Sequence, residues 1–292
     1  MERLNKVLAH VGVASRRGAD AFIAAGRITV NGEIVTDLGR QVDPAVDEIC
    51  LDGETLVSKA IRYHYLAVNK PSEVICTVSD PQGRPTVMGL VPPDLHVSPV
   101  GRLDGASEGL LLMTNDGDLA HLLTHPRHMM DKEYRVKISG TPNDTALAAW
   151  REGMFLEDGK TLPAEVRIES STGSGTWLRF IIREGRNRQI RRMVDAFHHS
   201  VHRLIRVRLG PITLGDLGKG EWRHLTELEV AALKGDEAAL TALAESRNPG
   251  AAKPRRRAGW AKAKPKPTRP GQGQRSKATR ASKQRRRTGR RG

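Results

Sequence analysis

The sequence VGRLDGASEGLLLMTNDG, residues 100–117, divides into an exposed loop, a buried strand and a turn. Its first part has the glycines and polar residues of a loop, LLLMT is an apolar run typical of a buried strand, and NDG is a turn. Because a rigid strand behind a loop can present one side chain for function, Asp104 is a candidate catalytic acid. A loop cap or an ion pair with Arg102 explains the same residue equally well.

The residues around this stretch predict an α+β domain over 63–246. Strand-like segments are YHYLAV, EVICTV, EYRVKI, TWLRFII and RLIRVRLG, and helical patterns fall at 118–124, 143–152 and 188–198. Frequent prolines cannot lie inside central strands, so turns must separate these elements. A mixed sheet with helices packed on it is the fold that this order predicts.

A second candidate element is the segment TWLRFIIREGRNRQIRRMVDAFHHS, residues 176–200, which predicts a strand, a turn and a helix. One face of the helix is apolar and the other is rich in arginine. Arginine suits bidentate phosphate contacts and stacking on bases, which predicts a nucleic-acid partner, although a solvated basic face is the alternative. The candidate RNA contacts in this domain are Arg102, Arg186, Arg188 and Arg192.

Residues 1–60 predict a small α/β domain of their own. Apolar residues at i, i+3, i+4 and i+7 from Leu4 give one helix, and Ser15 can cap a second. Asn31-Gly32 and Asp52-Gly53 are strong hairpin-turn signals. Arg16 and Arg17 lie in the first turn of the second helix, where backbone N–H groups favour an anion such as phosphate, although basic residues at a helix start are also found simply solvated.

The net charge of +15 is concentrated at the carboxy end of the chain. Residues 251–292 hold 17 of the 48 Lys and Arg and no acid, which leaves 31 basic against 33 acidic side chains in the rest. Such a composition has little to bury, so residues 247–292 are expected to be a disordered tail. Affinity for RNA is the favoured role, and a solubility tail or a basic signal is the alternative.

Several classes of protein are excluded by what the sequence lacks. No apolar run is long enough for a membrane span, and two cysteines, Cys50 and Cys76, are too few for a disulfide framework, so a reducing cytoplasm is expected. Two histidine pairs have a spacing of four, 121/125 and 198/202, but neither has the acid of an HExxH motif. Without a glycine-rich phosphate loop either, we expect no metal and no cofactor.

The pattern GRLDGASEGLLLMTNDG resembles the bacterial ribosomal-RNA pseudouridine synthases of the RsuA/RluB/RluE/RluF group. The similarity continues through DLAHLLTHPRH, KEYRVKISG, EGRNRQIRRM and RVRLGPITLGDLGKGEWRHLT. Residues 3–32, RLNKVLAHVGVASRRGADAFIAAGRITVNG, resemble the RNA-binding domain first known in ribosomal protein S-four. The basic extension is most like that of the member acting on large-subunit rRNA.

This resemblance implies a role for three residues. Asp104 would act on the target uridine, breaking its glycosidic bond so that the base can rejoin the ribose through carbon. Tyr134, in KEYRV, would stack on the base and assist proton removal from the new C–C linkage, although strand alternation alone favours a place in the core. Arg191 would pair with Asp104, within hydrogen-bond reach once the chain is folded.

The same resemblance implies a partner and leaves other functions open. It implies a monomer that acts on ribosomal RNA or on an assembling large ribosomal subunit, with no membrane and no cofactor. The alternatives are the same reaction on small-subunit rRNA and a ribosome-assembly factor that binds RNA without catalysis. A methyltransferase is less favoured, because the sequence shows no cofactor pocket.

Overall fold

The computed structural model describes residues 1–56 and 62–245 of the chain. The predicted tail, 247–292, lies outside the described residues, as does the segment 57–61. The predicted domain limits, 1–60, 63–246 and 247–292, therefore remain predictions. Within the described ranges, no helix is long and apolar enough to cross a membrane.

The first 56 residues form two helices against a small sheet. Their elements are β1 Glu2–Arg3, α1 Leu4–His10, α2 Arg16–Ala24, β2 Ile28–Val30, β3 Glu33–Val35, β4 Gln41–Val42, β5 Ile49–Leu51 and β6 Glu54–Thr55. The sheet has the order β3-β2-β5-β6, and β1 pairs with β4. Apolar residues of both helices and of β2 form the core of this part of the molecule.

The local signals that predicted these elements are confirmed. The Ser15 hydroxyl accepts a hydrogen bond from the Gly18 N–H at 3.1 Å, which satisfies one free donor of the first turn of α2. Asn31 and Asp52 have φ values of 52° and 51°, the left-handed backbone that such hairpin turns need at their first central residue.

The larger part of the molecule begins at Tyr65. Its elements are β7 Tyr65–Lys70, β8 Ser98–Val100, β9 Glu108–Thr114, α3 Gly117–Thr124, β10 Lys132–Ile138, α4 Asp144–Glu152, β11 Phe155–Leu156, β12 Gly159–Lys160, β13 Glu165–Thr172, β14 Gly175–Ile182, α5 Gln189–Asp195, β15 Val201–Leu209, β16 Ile212–Thr213, β17 Trp222–His224, α6 Glu227–Leu233 and α7 Glu237–Glu245. Short 3-10 helices lie at Val87–Leu90, Pro93–Leu95 and Pro126–His128.

All of these strands except β11 and β12, which pair with each other, form one mixed sheet, as predicted. Its order is β13-β14-β10-β15-β9-β7-β17, and β15 runs parallel to β9 whereas the other pairs along this order are antiparallel. Helices α4 and α5 cover one face of β10 and β14, where Trp150, Phe180 and Met193 are fully buried. Every residue of β9 is buried, and β9 lies between β15 and β7. The loop before β9 is therefore anchored at one end by an interior strand of the sheet.

The closest approach between β15 and β9 depends on a glycine. Gly109 has a φ of 103°, and a Cβ at this position would lie 2.3 Å from the carbonyl oxygen of Arg206. Because real Cβ atoms do not approach backbone oxygen so closely, only glycine permits this parallel pairing. Gly109 follows Asp104 by five residues, so the strand contact also fixes the end of the candidate catalytic loop.

The strand predicted at EVICTV is wrong. Only Ile75 makes a bridge, an isolated one to Thr86. Glu73 has a φ of 67°, and its N–H donates to the carbonyl oxygen of Gly105 at 2.7 Å. The left-handed turn directs this backbone toward the Asp104 loop, so the segment supports that loop instead of extending the sheet.

Glu229 stabilises the start of α6 and gives a testable pH dependence. It completes a capping box with Thr226 and accepts two hydrogen bonds from Arg223, at 2.7 and 2.6 Å. Despite burial, which acts the other way, these bonds hold the pKa of Glu229 below its usual value. Its stabilising effect is therefore present above the unfolded-state pKa and is lost as pH falls through the lower folded-state pKa.

We expect Glu229→Gln to lower the free energy of unfolding by about 3 kcal/mol at pH 7, because it leaves a half-buried guanidinium without its carboxylate. The difference from the parent should shrink below pH 4. Urea unfolding at pH 7 and pH 3 measures it, with the exposed Glu227→Gln as control. A loss of equal size at both pH values would contradict the ionic explanation.

Candidate active site

A cleft of about 590 Å³ opens beside the loop that precedes β9. Its wall includes Arg102 and Asp104 from that loop, Tyr134 from β10, and Arg188 at the start of α5. Arg206 of β15 also lines it. The structure therefore brings together residues that are about a hundred positions apart in the sequence.

The loop around Asp104 is held by its own backbone. The Asp104 carbonyl oxygen accepts from the Ser107 N–H at 3.0 Å, which closes a turn, and the Leu103 N–H contacts the Cys76 sulfur at 3.3 Å. The Asp104 side chain is 32% exposed, so a substrate can reach it from the cleft. An exposed carboxylate on a rigid loop is suited to act on a bound ligand.

Lys70, at the end of β7, supports the same loop from below. Its side chain is fully buried, and Nζ donates to the carbonyl oxygens of Pro71, Val74 and Gly105 at 2.8, 2.6 and 3.2 Å. Burial lowers the pKa of Lys70, while the nearby Asp104 and Glu108 raise it. One ammonium thus joins the loop of Asp104 to the segment 71–74.

Arg191 lies against Asp104 as an ion pair. The Nε of Arg191 is 4.0 Å from Oδ2 of Asp104, and Nη2 donates to the Ala106 carbonyl oxygen at 3.1 Å. The predicted hydrogen bond is not formed, and Nε is buried without a partner. Burial and Arg188 lower the pKa of Arg191, whereas Asp104 raises it, and arginine stays charged in either case. Catalytic hydrogen bonds are often long without substrate and shorten when it binds.

Tyr134 combines the two interpretations that its sequence position allowed. It is 8% exposed and packs in the core with Val136 and Ile138, as strand alternation predicts. It also lines the cleft that contains Asp104. The ring is therefore fixed by the core while part of its surface is open to a ligand.

The arginines predicted to bind RNA differ in what the protein already does with them. Arg102 and Arg188 are exposed at the cleft. Arg192 makes two hydrogen bonds of 2.9 Å to Asp158, and they hold the pKa of this carboxyl at about 2. Arg186 donates to the Gly159 carbonyl oxygen at 2.9 Å. Arg186, just before α5, and Arg192, within it, thus hold the β11–β12 hairpin in place. An RNA contact by these two residues stays a prediction.

Arg16 and Arg17 are exposed in the first turn of α2. Arg16 reaches the Asn5 side chain at 3.4 Å. A phosphate contact by Arg16 or Arg17 stays a prediction.

The first of the two histidine pairs lies at α3. His121 and His125 have ring centroids 5.1 Å apart on and after α3. In the described part of the chain, His, Cys, Asp and Glu form no group of three that could hold a metal.

Sequence reasoning did not single out Lys70, Lys132 or Arg206. All three are cations inside strands, and a strand cation is ordinarily solvated on the outer face of a sheet. Lysine directly before Pro71 at the end of an apolar strand was the available signal for Lys70. For the other two, only the folded sheet shows that the side chains turn toward the cleft.

Comparison with known proteins assigns both parts of the chain to families. Residues 64–196 match the RNA pseudouridylate synthase family, and residues 2–48 match the S4 domain. An uncharacterized RNA pseudouridine synthase of Aquifex aeolicus is 42% identical over 234 residues, which are 79% of this chain and 93% of that protein. The ribosomal large subunit pseudouridine synthase B of Bacillus subtilis is 40% identical, over 80% of this chain and 96% of that protein.

A solved structure agrees with these sequence comparisons. The crystal structure of a pseudouridylate synthase is 31% identical and superposes with a TM-score of 0.58, covering 80% of this chain and all of the other.

Proposed function

Because the chain belongs to the RNA pseudouridine synthases, we propose that it converts a specific uridine of large-subunit ribosomal RNA to pseudouridine. The observation that supports this most directly is the pair of Asp104 and Arg191 beside an open cleft. Similarity to an enzyme named for the large ribosomal subunit supports the choice of RNA. A monomeric state and a cytoplasmic location remain predictions from the sequence.

The proposed roles follow from where each group lies. Asp104 acts on the ribose so that the C1′–N1 bond breaks, after which the base turns and rejoins C1′ through C5. Arg191 places a positive charge 4.0 Å from the Asp104 carboxylate and orients it. Tyr134 stacks on the base and limits its rotation. The reaction is an isomerisation without net gain or loss of atoms, so these side chains need no cofactor to balance it.

The cleft requires that the target nucleotide leave its helix. The reacting atoms of a stacked, paired uridine cannot contact Asp104, so the base must turn out into the cleft. Arg102 is exposed next to Asp104 and can enter the gap that the base leaves. A structure with RNA in which the target base is still stacked beside Asp104 would contradict this step.

Mapping pseudouridines in ribosomal RNA tests the proposed substrate. Cells that lack this protein should lose one modified position in the large-subunit RNA and regain it when the parent protein is supplied. Loss of a position in the small-subunit RNA would change the substrate. No lost position, with RNA binding retained, would favour the assembly factor that binds without catalysis.

We expect removal of residues 251–292 to weaken binding to any RNA roughly tenfold or more at low salt, and to flatten the salt dependence, because 17 cations are lost. The modified position should not change, since phosphate contacts carry no sequence information. Affinity and kcat/KM at two salt concentrations on a folded rRNA fragment measure this.

For comparison, Arg16→Gln with Arg17→Gln should reduce the rate on structured RNA more than two lost charges explain. In this view the tail adds general RNA affinity, and Arg16 and Arg17 help to place the RNA on the cleft. A change of target uridine after removing the tail would contradict this division.

A further inference from the structure

Arg206 is a buried cation that forms no ion pair within residues 1–56 and 62–245. Its side chain is 4% exposed, and Nε donates to the carbonyl oxygen of Leu110 at 2.7 Å. Nη2 is buried and has no hydrogen-bond partner among the described residues. A charge removed from water at this depth is costly unless an anion or strong acceptors surround it. Among the described residues, the Leu110 carbonyl oxygen is the one hydrogen-bond acceptor of this side chain, and no carboxylate pairs with it.

The other arginines of β15 show how unusual this is. Arg203 pairs with Glu108 at 2.9 Å, and Arg208 pairs with Glu133 at 2.7 Å. Arg203, Arg208 and Glu133 all lie on the face of the sheet that is opposite the cleft. Arg206 is the cross-strand neighbour of Tyr134 on the cleft side, so its lack of a carboxylate is specific to the floor of the cleft.

Lys132 adds a second cation to this floor. Its Nζ donates to the Met130 carbonyl oxygen at 2.9 Å. Burial and the nearby Arg206 lower the pKa of Lys132, although Asp131 and Glu184 act the other way. Glu184 also lines the cleft, but its carboxylate already accepts from the Gln189 side chain at 2.6 Å and from Arg186 at 3.0 Å. The floor therefore presents two cations that no carboxylate of the described residues holds in a salt bridge.

We propose that Arg206, assisted by Lys132, binds a carbonyl oxygen of the flipped uracil and stabilises the negative charge that the base acquires when it leaves the ribose. This inference rests on the proposed function. A phosphate is the other anion that RNA offers, but exposed cations at the rim, Arg102 and Arg188, are better placed for it. A planar base reaches the floor more easily than a tetrahedral phosphate that is joined to the chain on both sides.

The chemistry of the step agrees with this placement. When the C1′–N1 bond breaks, its electron pair stays with the base. The Asp104 carboxylate compensates the positive charge that develops at C1′ of the ribose. The uracil anion spreads its charge over N1 and the carbonyl oxygens. A guanidinium that is already in place stabilises this charge without rearranging. Such preorganised electrostatic stabilisation is usually the largest single contribution to catalysis. C5 of the anion then bonds to C1′, which removes the positive charge there. C5 gives its proton to solvent and N1 takes one up, so the base is neutral and no atom is gained or lost.

A leaving-group comparison tests the inference. Arg206→Gln and Arg206→Lys are compared with the parent on one rRNA fragment that carries uridine or 5-fluorouridine at the target position. Fluorine withdraws electrons from the ring, so a fluorinated base anion depends less on the protein cations. Single-turnover loss of the target nucleoside, followed by mass spectrometry after digestion, gives the rate for both substrates.

With uridine, we expect Arg206→Gln to lower the rate by about 10²-fold, with RNA affinity nearly unchanged and Arg206→Lys in between. With 5-fluorouridine the loss should be at least several times smaller. Arg135→Gln is the matched control, because Arg135 neighbours Tyr134 on β10, lies on the opposite face, and leaves Glu169 paired with Arg179.

Equal losses for the two bases would overturn the inference and leave the proposed function intact. If Arg206→Gln does not fold, the same comparison with Lys132→Gln decides, since within the described ranges the Lys132 ammonium makes a single hydrogen bond, to a carbonyl oxygen. A folded parent protein that converts no uridine in either ribosomal RNA would overturn the proposed function, and the inference with it.

Discussion

Asp104→Asn should abolish pseudouridine formation, with a loss in rate of roughly 10⁴-fold or more. The amide has nearly the shape of the carboxylate but can neither attack the ribose nor remove a proton from it. The substitution also removes the ion pair with Arg191, which is 4.0 Å long and involves no hydrogen bond. Arg191 keeps its hydrogen bond to the Ala106 carbonyl oxygen, so the cost to folding should be smaller than at Glu229. Release of tritium from RNA labelled at C5 of uridine measures the rate.

Two comparisons separate a chemical loss from a structural one. Asp104→Asn should keep the unfolding midpoint and the RNA affinity of the parent. Asp118→Asn, which changes an acid that is 75% exposed and paired with Lys6, should keep activity. Activity of Asp104→Asn close to that of the parent would remove Asp104 from the mechanism.

Gly109→Ala should produce the largest loss of stability among single glycine substitutions near the site, about 3 kcal/mol or more. Two costs add at this position. The φ of 103° is unfavourable for any residue with a Cβ, and the new methyl group would lie 2.3 Å from the Arg206 carbonyl oxygen. Relief of the contact requires β9 and β15 to separate, which moves Arg206 and the end of the Asp104 loop. Activity should therefore fall together with stability.

Gly53→Ala isolates the first of these costs. Gly53 has a similar positive φ of 84°, but a Cβ there would meet nothing within 4 Å. Its expected cost is about 1 kcal/mol. Denaturant unfolding of both variants under one set of conditions gives the difference between them, which is the cost of the backbone contact. Equal losses would show that β9 and β15 adjust freely and that the parallel pairing tolerates a side chain.

The sequence predicted those features whose signals are local. The apolar run before an NDG turn predicted β9, the position of Ser15 predicted the cap of α2, and Asn31-Gly32 predicted a hairpin. In each of these, the groups that interact are separated by a few residues, so a short window contains the whole physical reason. The placement of Asp104 on a loop before a buried strand was predictable for the same reason.

Features that depend on distant partners were not predictable. Arg192 and Arg206 both occur in arginine-rich segments and look alike in sequence, yet one faces Asp158 and the other faces a cleft without a counter-ion. The failed strand at EVICTV has the same origin, because the acceptor of the Glu73 N–H is Gly105, on a different loop. Only the similarity to a family connected Asp104 with Arg191 before the structure did.

The fastening of the Asp104 loop by Lys70 has a consequence for the choice of target. Three carbonyl oxygens from two segments are held by one buried ammonium, so the loop has little freedom to follow a substrate that fits poorly. The conformational adjustment then falls mainly to the RNA. A uridine in a weak or mismatched pair leaves its helix at a lower cost than one in a stable duplex. We therefore expect the local mechanical softness of the ribosomal RNA, together with its sequence, to decide which uridine this rigid loop can modify.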